Sequence, residues 1–297
     1  MWQETIRIEG PYHFVRALER LAFDPIKSID LTNGSIKVPL MIGNTPRVVA
    51  VQSVGTVEEP AFIVSSEAAP NEKEQVLAKL YRIFHWHESL HRVNEHFSAT
   101  ALSPLFDMFR GTPLVLDFDI YYCLIKTIIH QQLNMLFAHK LTERFVKAFG
   151  FQVDGVWFPP TPEAVSQLDY HHLRELQFSQ RKAEYVIDTS KHIVAGTLDL
   201  HALESMSDED VVRTLVGIRG IGHWTAQCFL LFGLGRKSIF PYGDIGIQNG
   251  LKKFYGLDAK PTMEQMQQWR REYAPYETYA ALYLWEHVGN QTVRNRS

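Results

Sequence analysis

Three glycines fall within six residues in the run Leu215-Val216-Gly217-Ile218-Arg219-Gly220-Ile221-Gly222-His223-Trp224-Thr225-Ala226. Glycine has no Cβ and reaches positive φ without strain, so this run, flanked by helix-forming residues, predicts a tight hairpin between two helices. Asp208-Glu209-Asp210 puts negative charge at the positive end of the first helix, which is predicted to finish at Gly217. The second is predicted from about His223 to Phe232. Its first turn leaves backbone N–H groups unpaired, and Gly220 and Gly222 let an anion approach them, so the hairpin reads as a phosphate clamp. Such a clamp holds a nucleic-acid backbone without reading sequence. Asp244, in Tyr242-Gly243-Asp244-Ile245, is the one acidic residue between Asp210 and Asp258. It is either a helix cap or a carboxylate set apart for chemistry.

A chain of 297 residues buries a substantial core and has room for two or three domains. The net charge of −3 does not announce a nucleic-acid binder, so a local basic face is required, and Arg219, Arg236-Lys237 and Lys252-Lys253 are its candidates. Cys123 and Cys228 lie in apolar helical patterns and read as reduced core cysteines, which leaves too few thiolates for a four-cysteine iron–sulfur loop. The amino terminus is polar and no apolar stretch approaches membrane-spanning length, so the expectation is a cytoplasmic protein with no membrane partner.

The fold class expected is α+β: a small amino-terminal antiparallel-sheet α/β domain followed by two all-helical domains that carry the helix-hairpin-helix. The expected divisions are 1–100, 101–235 and 236–297, the last completing a cleft with the amino-terminal part. Short β-branched runs at 37–42, 47–54 and 61–64, with turn signals at Asn33-Gly34 and Gly43-Asn44, define the sheet. A helix is predicted over 72–84. From about Ser103 strand signals nearly vanish: Trp157-Phe158-Pro159-Pro160 reads as a surface turn, and Asp117-Phe118-Asp119 caps a helix that breaks at His130-Gln131-Gln132-Leu133-Asn134 and resumes from Met135 to Phe149. Arg181 and Lys182 open a further helix against the dipole preference, which calls for another reason. The last residues, 290–297, are expected to fray.

The hairpin followed by one aspartate in a Gly/Pro-rich turn resembles the helix-hairpin-helix DNA glycosylases, and Trp224, Trp285 and Tyr242 make the likeness strongest to the bacterial 3-methyladenine DNA glycosylase II branch. The resemblance implies a catalytic role for Asp244, a substrate pocket formed by Trp224, Trp285 and Tyr242, and DNA contacts from Gly217, Arg219, Gly220, Gly222, Thr225, Gln131, Gln132, Arg181 and Lys182. Gln132 is the position that would fill the gap left by an extruded nucleotide. Strand-cutting members carry a lysine where this chain has Trp224, so the implied enzyme is monofunctional, with water as the nucleophile. The implied partner is double-stranded DNA containing alkylated bases, with no obligate protein partner. The resemblance implies no cofactor and no iron–sulfur cluster, and it allows a structural monovalent cation at the hairpin. Two other readings fit the same residues: a non-catalytic DNA-binding module that recognises damage, and a glycosylase of this fold for deaminated or oxidised bases.

Overall fold

The computed structural model describes residues 1–294. Five antiparallel strands, β1 (Trp2–Arg7), β2 (Ser28–Asp30), β3 (Ser35–Ile42), β4 (Thr45–Ser53) and β5 (Ala61–Ser66), form one sheet in the order β1-β5-β4-β3-β2. In β3, Ile36, Val38, Leu40 and Ile42 alternate inward, which fixes its register against β4. The three runs read from the sequence are β3, β4 and β5. The edge strands β1 and β2 escaped that reading because β2 is three residues long and β1 buries Ile6 alone.

Helices α1 (Phe14–Leu21) and α2 (Lys73–Ile83) accompany the sheet, followed by α3 (Leu90–Ser98) and α4 (Ser103–Met108). Phe62 of β5 stacks on Trp86, while Phe97 of α3 stacks on Phe106 of α4 at 3.8 Å and Phe106 in turn on Tyr283 at 3.9 Å, so the apolar core runs from the sheet into the helices. Next come α5 (Ile120–His130), capped by Asp119 through the Tyr122 amide, and α6 (Met135–Phe149), capped by Asn134. The segment after α6 corrects the expectation of a plain turn. β6 (Phe151–Val153) and β7 (Val156–Phe158) form a two-stranded hairpin, with Asp154 and Gly155 both at positive φ. An Asp-Gly pair between strand-forming residues is the signal for such a turn.

The remaining helices are α7 (Pro162–Ser166), α8 (Tyr170–Glu175), α9 (Gln180–Val194), α10 (Asp208–Val216), α11 (His223–Cys228), α12 (Ile245–Phe254), α13 (Met263–Tyr273) and α14 (Glu277–Arg294). The second hairpin helix is shorter than predicted, because after Cys228 the chain widens into a π turn over Phe229–Gly233. Of the end expected to fray, α14 is helical through Arg294 and residues 295–297 lie outside the described residues.

Two features place the end of the chain against the hairpin. Buried Thr278 accepts from the Ile239 amide and donates to the Arg236 carbonyl, tying the start of α14 to the segment before Asp244. On α12, a Cβ at Gly246 would stand 2.8 Å from Trp285 and one at Gly250 2.9 Å from the Leu284 carbonyl, so two glycines one turn apart let α12 lie close on α14.

Candidate active site

Asp244 is the N-cap of α12, its Oδ1 accepting from the Ile247 amide at 2.9 Å. Of the two readings of this residue, the helix cap is the one the backbone geometry shows directly. The same oxygen accepts from the Trp285 indole N–H at 2.8 Å, and Oδ2 accepts from the Trp224 indole at 2.9 Å. Three N–H donors from α11, α12 and α14 thus fix both position and plane of a half-buried carboxylate. The indoles are neutral, and among the described residues no ion pair involves Asp244, so its charge is not cancelled. The outer face of Trp285 rests on Phe232 of the π turn, with ring centroids 5.7 Å apart.

Tyr242 is not part of this cluster. Its hydroxyl accepts from Arg270, and its ring lines a separate groove with Val212, Val216, His223 and Gln227, which Asp244, Trp224 and Trp285 do not border. The resemblance places Tyr242 in one pocket with the two tryptophans; in the structure its hydroxyl meets Arg270 and it makes no hydrogen bond to Asp244.

The hairpin, the Gln-rich turn and the start of α9 form one unit. Gln131 Nε2 donates to the Gly220 carbonyl at 2.9 Å and to Thr225 Oγ1 at 2.7 Å. Lys182 Nζ donates to the carbonyls of Ile128, Ile129 and Gln131, the orphan acceptors at the end of α5. That is the other reason its position demanded. Burial lowers the Lys182 pKa to about 8. Gln131, Lys182 and the 1% exposed Thr225 therefore tie the hairpin, the Gln-rich turn and the start of α9 together from within. Arg219 is exposed but paired with Glu184 at 2.7 Å and lies over the Tyr185 ring.

What faces outward is Gln132, Arg181, Gly217 and Gly222. Gln132 is held at φ 55, and beside it Met135 and Leu136 are 61% and 66% exposed, an apolar pair that the sequence reading passed over. Gly220 has φ 95, and a Cβ there would meet the Tyr185 ring at 2.2 Å, whereas a Cβ at Gly222 would meet nothing within 4 Å. Gly222 is the N-cap of α11 and offers no side chain to its amides.

The other expected basic residues are largely engaged, Arg236 with Asp208, Lys237 with Glu88, and Lys252 and Lys253 with carbonyls. Sequence patterning also missed a group of buried charges near Asp244. Arg20 of α1 pairs with Glu286 at 4.0 Å, next to Trp285, and Asp117 takes both Lys27 and Lys126. The signal for it was Lys126, a lysine in the middle of the apolar run Ile120–Ile129. Cys123 and Cys228 are buried free thiols.

The family model described as HhH-GPD superfamily base excision DNA repair protein matches residues 125–275. A Bacillus subtilis (strain 168) protein named "Putative DNA-3-methyladenine glycosylase YfjP" is 49% identical over 97% of this chain and 100% of its own length. DNA-3-methyladenine glycosylase 2 of Escherichia coli (strain K12) is 26% identical over 97% of this chain and 98% of its own. The solved structure of a 3-methyladenine DNA glycosylase from Archaeoglobus fulgidus superposes with a TM-score of 0.84 at 23% identity, covering 97% of this chain and 98% of that one. The chain belongs to the HhH-GPD superfamily of base excision DNA repair proteins, in the branch of its DNA-3-methyladenine glycosylase relatives.

Proposed function

We propose that this chain is a monofunctional DNA glycosylase that removes alkylated, cationic purines such as 3-methyladenine and 7-methylguanine from duplex DNA. The observation that carries the reading is the Asp244 carboxylate, clamped by the indole N–H groups of Trp224 and Trp285 and without an ion-pair partner among the described residues. A base in a stacked duplex must be extruded before its glycosidic bond is accessible. Gln132, with Met135 and Leu136 beside it, is the projection suited to enter the minor groove and hold the gap.

As the bond breaks, positive charge develops on the sugar, and a fixed carboxylate nearby stabilises it because the carboxylate does not have to reorganise. Asp244 also orients the attacking water. Alkylation at ring nitrogens makes the purine cationic, which improves it as a leaving group and attracts it to indole faces. Neither Lys126 nor Lys182 offers a free amine for strand cutting. Lys126 is bound to Asp117, and Lys182 gives its hydrogen bonds to three carbonyls. Hydrolysis of this kind needs no cofactor.

The test is release of free bases from methylated duplex DNA by wild type and Asp244→Asn in parallel, with the bases identified by chromatography. Release of 3-methyladenine or 7-methylguanine by wild type alone, from a strand left unnicked, is the expected result. Equal release by Asp244→Asn overturns the assignment, and release from oxidised or deaminated duplexes alone moves the enzyme to another lesion.

A further inference from the structure

Asp117, just before α5, is 4% exposed, yet both neighbouring ammonium groups address the same oxygen: Lys126 and, at 3.9 Å, Lys27 each reach Oδ1. Oδ2 has no hydrogen-bond partner. The same is true of Oδ2 of Asp24 and of the Tyr122 hydroxyl, all at least nine-tenths buried. The Cys123 thiol, a weak donor, is a further neighbour of the Asp117 carboxylate. Three unsatisfied polar atoms, two from around the start of α5 and one from the segment after α1, beside two buried lysines, are a costly arrangement for a fold whose surrounding core is apolar. Groups of this kind mark places where a polar ligand completes the hydrogen bonding.

The cluster borders the Asp244 site. The Asp117 amide donates to the Phe232 carbonyl at 2.9 Å, and the Phe232 ring is the one stacked on Trp285. Cys228, one helical turn beyond Trp224, is buried, and after burial itself Asp244 and Lys126 are the charges that act on its thiol. Lys126 keeps 18% of its side chain exposed where Asp117 keeps 4% and Lys27 7%, so Lys126 is the most exposed of the three charged groups.

We propose that Asp117, Lys126 and Tyr122, closed from the amino-terminal side by Asp24 and Lys27, form the subsite that hydrogen-bonds the polar edge of the extruded base. The proposal rests on the glycosylase reading above and adds its specificity. A carboxylate accepts and an ammonium donates, so the pair fits an edge with an N–H beside a ring nitrogen or carbonyl oxygen, and the two amino-purines carry that donor and acceptor in opposite order along the edge. Stacking on indole recognises the cationic ring without distinguishing one purine from another, and this edge contact is what distinguishes them.

The experiment measures two bases released by one sample, so that the fraction of folded enzyme cancels. Methylated duplex DNA is treated with wild type, Asp117→Asn and Tyr122→Phe, and the ratio of 7-methylguanine to 3-methyladenine is read in single turnover. Binding of free 3-methyladenine is measured by calorimetry on the same proteins. Asp117→Asn is expected to shift the ratio at least fivefold and to weaken free-base binding at least fivefold. Tyr122→Phe, which keeps the ring and removes one oxygen, moves both in the same direction by less. Equal loss of both bases with an unchanged Kd overturns the proposal and makes the cluster a structural one. Cluster-dependent binding of the free base without base release overturns the glycosylase reading and leaves the subsite standing. Absence of both binding and release in wild type overturns both.

Discussion

The indole N–H of Trp285 reaches Oδ1 of Asp244 at 2.8 Å across 41 residues of sequence, and Gly246 is what lets it do so. A Cβ on Gly246 would stand 2.8 Å from Trp285 Cδ1 and 3.0 Å from Asp244 Oδ1, inside the contact that holds the carboxylate.

Gly246→Ala is therefore expected to displace the indole while leaving the helix intact, since alanine is the better helix former. A hydrogen bond to a charged group contributes about 1.5–3 kcal/mol, so base release should slow by about 10- to 100-fold. Trp285→Phe removes the same N–H and keeps an aromatic ring. Because both changes act on one contact, the double variant should lose little more than either alone. Single-turnover rates of all three proteins check this, and multiplicative losses would show that Gly246 and Trp285 act separately.

Asp244 carries two duties that substitution separates. Asparagine caps a helix about as well as aspartate but turns an NH2 toward the Trp224 N–H where the carboxylate accepted, so Asp244→Asn should keep the cap and unfold only a few degrees (about 2–4 °C) below wild type while losing base release. Asp244→Ala loses the cap to the Ile247 amide as well, at about 1 kcal/mol, or about 2–4 °C in a domain of this size. Thermal melts of the two variants beside their rates distinguish cap from chemistry. A large drop in the melting temperature of Asp244→Asn would mean that its inactivity reports structure.

The hairpin glycines differ in what they tolerate. Gly220→Ala meets both φ 95 and the Tyr185 ring, and is expected to destabilise the protein by more than 1 kcal/mol, so it cannot test DNA binding cleanly. Gly222→Asp can. Its Cβ enters open space, and aspartate is a favoured N-cap, so stability should hold or rise. Negative charge at the amides that would face phosphate should nevertheless weaken DNA binding irrespective of sequence, with a shallower salt dependence. Unchanged affinity in that variant would show that DNA does not engage the start of α11.

Much of this frame is legible in the chain. α5, α6, α12 and α13 announce themselves through apolar residues at helical spacing and through caps at Asp119, Asn134, Asp244 and Thr262. Those signals are local. The contacts that make a site of Asp244 are tertiary: its two indole donors lie 20 and 41 residues away, and pattern alone gives no reason for either N–H to find it. The same limit explains Thr225 and Lys182, polar residues near a predicted DNA surface whose side chains turn inward to Gln131 and to the end of α5. It also explains Asp117, which reads as one of two acidic residues capping α5. Asp119 does the capping, and Asp117 meets lysines 90 residues before and nine residues after it.

Lys27 gives a pH-dependent signature of the buried cluster. Burial first, and repulsion from Lys126 second, lower its pKa to about 8, against about 10.4 in an unfolded chain. Between these values the unfolded state binds more protons than the folded one, so this group makes stability rise as pH climbs from about 8 towards 10. Below pH 8 both states are protonated and the cost of the buried ammonium is constant, at about 2–3 kcal/mol. Lys27→Met removes that cost and leaves Asp117 its partner Lys126. The variant should therefore be more stable than wild type at pH 7, with the gap closing towards pH 10, and it should release alkylated bases more slowly. Urea unfolding of both proteins at pH 7, 8.5 and 10 measures the gap. A gap that does not change with pH would mean that Lys27 is no more buried as a cation than an ordinary surface lysine, and the charged subsite would lose one of its supports.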